Sequence, residues 1–129
     1  MIYLADTNAC LDFLLRRNPG VISQMRAMFG RVAVSTITLA ELRVGAKATS
    51  NPHEDDRTID RFIGGVIVQP FDEAAAVSYG TMVQQIGMRR GSFDRLIAAH
   101  ALALDLTLVT NNTRDFADIP GLRVENWAA

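Results

Sequence analysis

The chain has few of the residues that mark several large classes of protein. It contains one cysteine, Cys10, and two histidines in 129 residues, so an internal disulfide is excluded and no Cys or His cluster has zinc-site spacing. No apolar run approaches the ~20 residues that span a bilayer. Asp6 also interrupts the N-terminal apolar stretch, where a signal peptide would remain hydrophobic. These absences predict a cytoplasmic protein with no membrane segment, in which any bound metal has oxygen ligands.

Positive charge is also scarce. The 13 basic and 14 acidic residues give a formal charge of -1, which excludes the bulk basicity of a general nucleic-acid coat protein. Lys47 is the only lysine, and arginines gather at Arg89, Arg90 and Arg95. Arginine forks suit phosphate oxygens, although a solvated helix end would look the same. With 49% apolar residues, a chain of this length predicts a single domain over 1–129.

Short strand-like runs alternate with longer stretches of helical periodicity. The strand-like runs are 2–5, 32–35, 66–69, 107–110 and 123–126, and the helical stretches are 8–17, 21–29, 36–48, 54–64, 72–88 and 93–105. Such alternation requires crossover connections and predicts an α/β fold with a mostly parallel sheet. Candidate helix caps are Thr7 or Asn8, Ser35 or Thr36, Asp72, and Ser92.

Two acids are placed just beyond predicted strands. Asp6 directly follows the first strand, and Asp115 lies five residues beyond Thr110, the last residue of the fourth. In parallel α/β sheets, ligands bind beyond the carboxyl ends of the strands, so both positions are candidates for a site. Taken alone, Asp6 could instead cap a helix, and Asp115 could be a surface acid paired with Arg114.

A third acid, Glu41, lies on an apolar helix face. On a helix that begins at Thr36, its neighbours three and four residues away are mainly apolar. A carboxylate that faces a core is costly unless it is paired or binds a metal. The alternative is an outward-facing Glu41 that pairs with Arg43 or Lys47.

The fourth acid, Asp94, is in the first turn of a predicted helix, with Ile97 and Ala98 on the same face. A favourable interaction with the helix dipole would also explain an acid there. Parallel topology could nevertheless bring all four acids together. Four carboxylates in one pocket repel unless a divalent cation neutralises them, and oxygen ligands favour magnesium or manganese over zinc.

The remaining titratable residues have simpler interpretations. His100 sits among alanines and leucines and is interpreted as a packed histidine, not a general base. The acidic group from Glu54 to Asp56 is interpreted as the solvent-exposed start of a helix. Surface acids or caps are expected at Asp12, Asp72, Asp105 and Asp118.

Four segments together resemble the PIN-domain family, most closely its VapC-type toxins: 4–8, 40–45, 93–101 and 108–116. The ending 119–127 is also similar to the last strand of those toxins, so the likeness covers nearly the whole chain. The resemblance implies a three-layer α/β/α sandwich with a mostly parallel central sheet. It also implies a Mg²⁺- or Mn²⁺-dependent endoribonuclease that acts as the toxin of a toxin–antitoxin pair.

The resemblance also assigns roles to matched positions. The metal-binding and catalytic acids correspond to Asp6, Glu41, Asp94 and Asp115, and the residues that orient the acids or the substrate correspond to Asn8, Thr110 and Asn112. Some relatives have a further acid near Asn112. The amide at that position here puts a second metal site in doubt.

The mechanism expected from the resemblance is in-line hydrolysis of RNA. A metal would lower the pKa of a bound water and stabilise charge on the scissile phosphate, leaving 5′-phosphate and 3′-hydroxyl ends. The expected partners are RNA, a cognate antitoxin and a second copy of the chain, in a homodimer and a toxin–antitoxin hetero-oligomer. The first helices offer apolar side chains for such contacts, at Leu11, Leu14, Leu15, Val21, Met25 and Met28.

Two other functions fit part of the pattern. Asp6 could be the phosphoryl acceptor of an aspartate-based phosphatase or a receiver domain. The first class requires a second Asp where Asn8 stands, and both require a lysine near a late strand, whereas Lys47 lies in the third helix. The other alternative is a binding module that keeps the fold without catalysis, against which the intact acids argue.

Overall fold

The computed structural model describes residues 1–87 and 92–128. Arg89 and Arg90, two of the clustered arginines, lie outside the described residues. Strands run over β1 (Tyr3–Ala5), β2 (Val32–Ser35), β3 (Ile67–Gln69), β4 (Thr107–Val109) and β5 (Val124–Glu125). Helices run over α1 (Thr7–Leu14), α2 (Pro19–Met28), α3 (Thr36–Lys47), α4 (Pro52–Ile63), α5 (Glu73–Ile86) and α6 (Asp94–Leu104). Two short 3₁₀ helices, Phe29–Arg31 and Thr113–Phe116, complete the order.

The strands form one sheet in the order β3-β2-β1-β4-β5, and every pairing is parallel. This confirms the predicted α/β class. Leu4 of β1 is in register with Ala33 of β2 on one side and Leu108 of β4 on the other. The chain therefore fills one half of the sheet before crossing β1 to build the other half. The crevice beyond β1 and β4 is the place where an open parallel sheet binds ligands.

Helices cover both faces of the sheet, as the alternation of strand side chains requires. Ala5, Val34 and Val109 pack into one core cluster, which includes residues from α1 to α4. Leu4 and Leu108 point to the other face and pack into a second cluster, with residues of α5 and α6. The predicted three-layer sandwich is confirmed. No helix within the described residues is both long and apolar enough to cross a membrane.

The helix starts agree with the sequence at two of the four predicted places. Ser35 caps α3 and Asp72 caps α5, each by accepting a hydrogen bond from a backbone N–H of the first turn. The prediction for α1 was wrong, because Asp6 is its cap. The prediction that Ser92 caps α6 was also wrong. The residue before α6 is Phe93, which makes no side-chain cap hydrogen bond.

Candidate active site

Asp6 lies at the junction of β1 and α1 and has two structural roles. Its Oδ1 accepts a hydrogen bond from the Ala9 backbone N–H at 2.8 Å, so it caps α1, while only 3% of its surface is exposed. Burial raises the pKa of Asp6 to about 6. Hydrogen bonds from Thr110 and Ala9 lower the pKa, and the charges of Asp94 and Asp12 raise it further. The capping role and a role in a site are therefore compatible.

Asp94 and Asp115 extend this group of acids. Asp94 is the first residue of α6, and its pKa is raised first by burial and then by the charge of Asp115. Asp115, in the second 3₁₀ helix, accepts a hydrogen bond from Asn112 Nδ2 at 2.6 Å, and this amide, not Arg114, holds it. Asp6, Asp94 and Asp115 thus form a chain of carboxylates that repel one another.

Glu41 joins the group through Thr7. Thr7 Oγ1 donates a hydrogen bond to Glu41 Oε1 at 2.6 Å, which ties α3 to the residue that follows Asp6. The alternative pairing with Arg43 or Lys47 is not found, because both of these cations pair with Asp56. Glu41 is therefore held beside the strand end.

The three residues expected to orient the acids differ in their surroundings. Thr110 is fully buried at the end of β4, where it interacts with Asp6 and accepts the Asn112 N–H at 3.0 Å. Asn112 in turn holds Asp115. Asn8 is exposed in the first turn of α1.

Asp12 and Asn111 were not recognised from the sequence. Asp12, interpreted as a surface acid or cap, is only 7% exposed, and its Oδ2 accepts a hydrogen bond from Asn111 Nδ2 at 2.9 Å. Its Oδ1 pairs with Arg17 at 2.9 Å. The sequence did hold a signal, because Asp12 is three residues from the buried Ala9 and so shares its helix face.

Arg95 and His100 are two further buried polar residues of α6. Arg95, for which the sequence left open either a phosphate contact or a solvated helix end, is only 4% exposed and pairs with Asp118 at 3.0 Å. It therefore does not offer a surface fork for phosphate. His100 is buried with its Nδ1 2.9 Å from Ser35 Oγ, which confirms a packed histidine.

The acids present carboxylate donors of the kind that a divalent cation binds. Within residues 1–87 and 92–128, no three His, Cys, Asp or Glu side chains are already grouped tightly enough to hold an ion. However, the acids at the strand ends raise one another's pKa, so a positive charge among them would be stabilised. Their donors are all carboxylate oxygens, which Mg²⁺ and Mn²⁺ prefer. The residues therefore fit such an ion.

Comparisons with known proteins identify the family. The PIN domain family model matches residues 3–122. The tRNA(fMet)-specific endonuclease VapC of Shigella flexneri is 33% identical over 129 residues, covering 98% of both chains. Ribonuclease VapC2 of Rickettsia felis is 35% identical, again with 98% of both chains covered.

Solved structures extend the likeness to three dimensions. The DNA-bound VapBC complex from Salmonella typhimurium contains a chain that matches with a TM-score of 0.90 and 31% identity, covering 99% of each chain. VapBC2 from Rickettsia felis, bound to a DNA fragment from its promoter, matches with a TM-score of 0.86 and 32% identity, covering 98% of this chain and 99% of that one. Sequence and fold agree, and the chain belongs to the PIN-domain family, among its VapC-type ribonucleases.

Proposed function

We propose that this protein is a metal-dependent endoribonuclease, the toxin of a toxin–antitoxin pair, whose metal is held by Asp6, Glu41, Asp94 and Asp115. The observation that carries the proposal is that Asp6, at the carboxyl end of β1, lies close enough to Asp94 to be repelled by it, as Asp94 is by Asp115, while Glu41 is bonded to Thr7, the neighbour of Asp6. Burial and neighbouring negative charge raise the pKa of both Asp6 and Asp94 there. Such an arrangement is destabilising without a counter-ion, which is typical of a functional site.

Each residue of the site has a defined task in this proposal. Asp6, fixed by the Ala9 N–H and by Thr110, is the most rigidly held ligand. Thr7 holds the Glu41 carboxylate, and Asn112 holds that of Asp115. A bound Mg²⁺ or Mn²⁺ would supply an activated water and stabilise charge on the scissile phosphate. Four ionised carboxylates carry more negative charge than one divalent ion neutralises. The excess negative charge favours binding of the cation over its release to water.

Cleavage of total RNA by antitoxin-free protein tests the proposal. Discrete cuts are expected with Mg²⁺ or Mn²⁺, none with EDTA, and none from an Asp94→Asn variant. Asp105→Asn is the matched control, because Asp105 is 88% exposed and its left-handed backbone, with φ of 55°, suits asparagine. Cutting that survives both EDTA and Asp94→Asn would contradict the proposal. Initiator tRNA is a defined first substrate, since a relative is named for it.

An apolar groove supports the proposed antitoxin partner. It has a volume of about 350 Å³ and lies between α1, α3 and α4, lined in part by Leu11, Leu14, Leu15 and Leu42. Leu15 is 60% exposed there. An amphipathic segment can bury such side chains in a helix-in-groove contact. The similar solved structures are VapBC complexes, and we propose that the antitoxin encoded beside this chain occupies the groove.

A second apolar surface borders the acids and is assigned to a second copy of the chain. A groove of about 270 Å³ is lined by Ile37, Ala40, Glu41, Val44 and Phe93. Val44 is 73% exposed and Phe93 is 54% exposed, which is unusual for large apolar side chains. Light scattering should give a dimer for the wild type and a monomer for Val44→Glu. A wild-type monomer at micromolar concentration would contradict this assignment.

A further inference from the structure

Three successive residues after β4 contact three different acids. Thr110 interacts with Asp6, the Asn111 side chain binds Asp12, and the Asn112 side chain binds Asp115. Of these acids, only Asp12 has no place in the proposed metal site. Its contact joins residues 99 positions apart in the chain, across the crevice beyond β1 and β4.

Asp12 is held firmly enough to act as a fixed anchor. It lies on α1, whose first turn is capped by Asp6, and it is nearly buried. The guanidinium of Arg17 binds Asp12 Oδ1 through Nε at 3.0 Å and Nη2 at 2.9 Å. The left-handed backbone at Arg16, with φ of 54°, turns the chain back so that the Arg17 N–H also donates to the Asp12 carbonyl. Both oxygens of the carboxylate therefore have charged or amide donors.

The segment that the anchor holds is otherwise exposed. Asn111, Asn112 and Thr113 are all exposed, and Asp115 lies in a 3₁₀ helix of only four residues. So short a helix has few hydrogen bonds of its own, and its position depends on side-chain contacts. The Asn111 amide supplies one such contact at the start of the segment, where the chain leaves the sheet.

We propose that Asp12 and Asn111 form a positioning pair that fixes the turn 110–112 and, through it, the Asp115 carboxylate in the active site. This inference rests on the proposed nuclease function. Neither residue needs to touch RNA or the metal. Partners that orient metal ligands typically change activity or metal affinity about 10- to 100-fold when removed.

An exchange of the two residues gives a sharp test. In the double variant Asp12→Asn with Asn111→Asp, the asparagine at 12 can still accept from Arg17 and can donate to the aspartate at 111. The link is then restored with its donor and acceptor reversed. Asn111→Asp alone places two carboxylates face to face, and Asn111→Ala removes the link but leaves the Asp12–Arg17 pair intact. Because Asn111 is exposed and Asp12→Asn is isosteric, these variants leave the packing of the core unchanged.

Expected results separate positioning from stability. Both single Asn111 variants should lower kcat for RNA cleavage about tenfold with KM within about twofold, and the double variant should recover most of the loss. Arg17→Ala weakens the hold on Asp12 but keeps the amide link, so its kcat should fall less than that of Asn111→Ala. Unchanged kcat in Asn111→Ala, or a double variant no better than Asn111→Asp, would overturn the inference.

A readout independent of catalysis accompanies the kinetics. Hydrogen exchange of the Asn112 N–H, which donates to Thr110 Oγ1, should accelerate about tenfold or more in Asn111→Ala while amides of β1 and β4 keep their protection. Unchanged exchange at Asn112 would contradict the inference whatever the RNA assay shows. Conversely, faster exchange in a protein whose wild type cuts no RNA would refute the proposed function and leave the positioning pair intact.

Discussion

The substitution Asp6→Asn should stabilise the metal-free protein while it abolishes RNA cleavage. Asparagine is isosteric with aspartate and is an equally good helix cap, so the hydrogen bond from the Ala9 N–H is kept. What is lost is a negative charge that is nearly buried and repelled by Asp94 and Asp12. The protein therefore carries an unfavourable charge that its fold does not require.

The size of the effect follows from the pKa of Asp6, which rises from 3.8 to about 6 on folding. Each unit corresponds to about 1.4 kcal/mol, so the ionised carboxylate lowers the free energy of unfolding at pH 7 by about 3 kcal/mol. Native Asp6 keeps its proton up to about pH 6, whereas the unfolded chain loses it near 3.8. Stability thus falls as pH rises through this window, and the full penalty is present above about pH 7.

Urea unfolding in EDTA measures the effect. At pH 7, Asp6→Asn should be more stable than the wild type by about 1–3 kcal/mol, the lower end allowing for the loss of the Thr110 interaction. The difference should shrink as the pH falls from 6 and vanish at about pH 3, below both pKa values, where Asp6 is protonated in both states. Addition of Mn²⁺ should stabilise the wild type and leave the variant nearly unchanged, because only the wild type has the full ligand set.

A variant less stable than the wild type at pH 7 in EDTA would refute this reasoning. A stability difference independent of pH would do the same, because it would show that the carboxylate of Asp6 is not under electrostatic strain.

Three further predictions follow from individual contacts. Thr7→Val removes the hydrogen bond to Glu41, so kcat for RNA cleavage should fall about tenfold while the midpoint of thermal unfolding stays within a few degrees. An unchanged kcat would show that Glu41 needs no such hydrogen bond. Leu15→Glu places a charge in the apolar groove, so calorimetry should show antitoxin binding weakened about tenfold or more, with the cleavage rate of the free toxin unaltered; equal affinity would place the antitoxin elsewhere. Gly65→Ala should lower the free energy of unfolding measured in urea by about 1–3 kcal/mol, because the new Cβ would lie 2.0 Å from the ring of Phe29, which packs against Phe13 and Phe62. An unchanged midpoint of urea unfolding would mean that the ring moves aside freely.

The sheet was predictable because its strands are short apolar runs bounded by clear turns. Each predicted strand falls within one residue of an observed strand end, and each helical stretch overlaps an observed helix. The parallel arrangement followed from the alternation alone. Helix starts were less predictable, because Asp6, Thr7 and Asn8 are all suitable caps and only the tertiary structure selects Asp6.

Glu41 is only half-buried and lies near the exposed Val44, so the expectation that it faces a core was wrong. The position of Asp6 at the end of a strand was predictable, because this acid directly follows an apolar run. Side-chain pairing was not, because it depends on distant segments. The sequence predicted a surface acid at Asp12, because a pairing with Asn111, 99 residues away, cannot be read from local patterns. The burial of Arg95 was unpredictable for the same reason, because its partner Asp118 is 23 residues away.

The chemistry of the cut ends is the most direct test of a metal-dependent hydrolysis at these four acids. RNA cleaved by the wild type with Mn²⁺ would be ligated to adaptors that require a 5′-phosphate or a 3′-hydroxyl, beside the Asp6→Asn variant. We expect 5′-phosphate and 3′-hydroxyl ends at discrete positions with the wild type and none with the variant. Ends with 2′,3′-cyclic phosphate would contradict this expectation, because they arise from attack by the ribose 2′-hydroxyl and not by water.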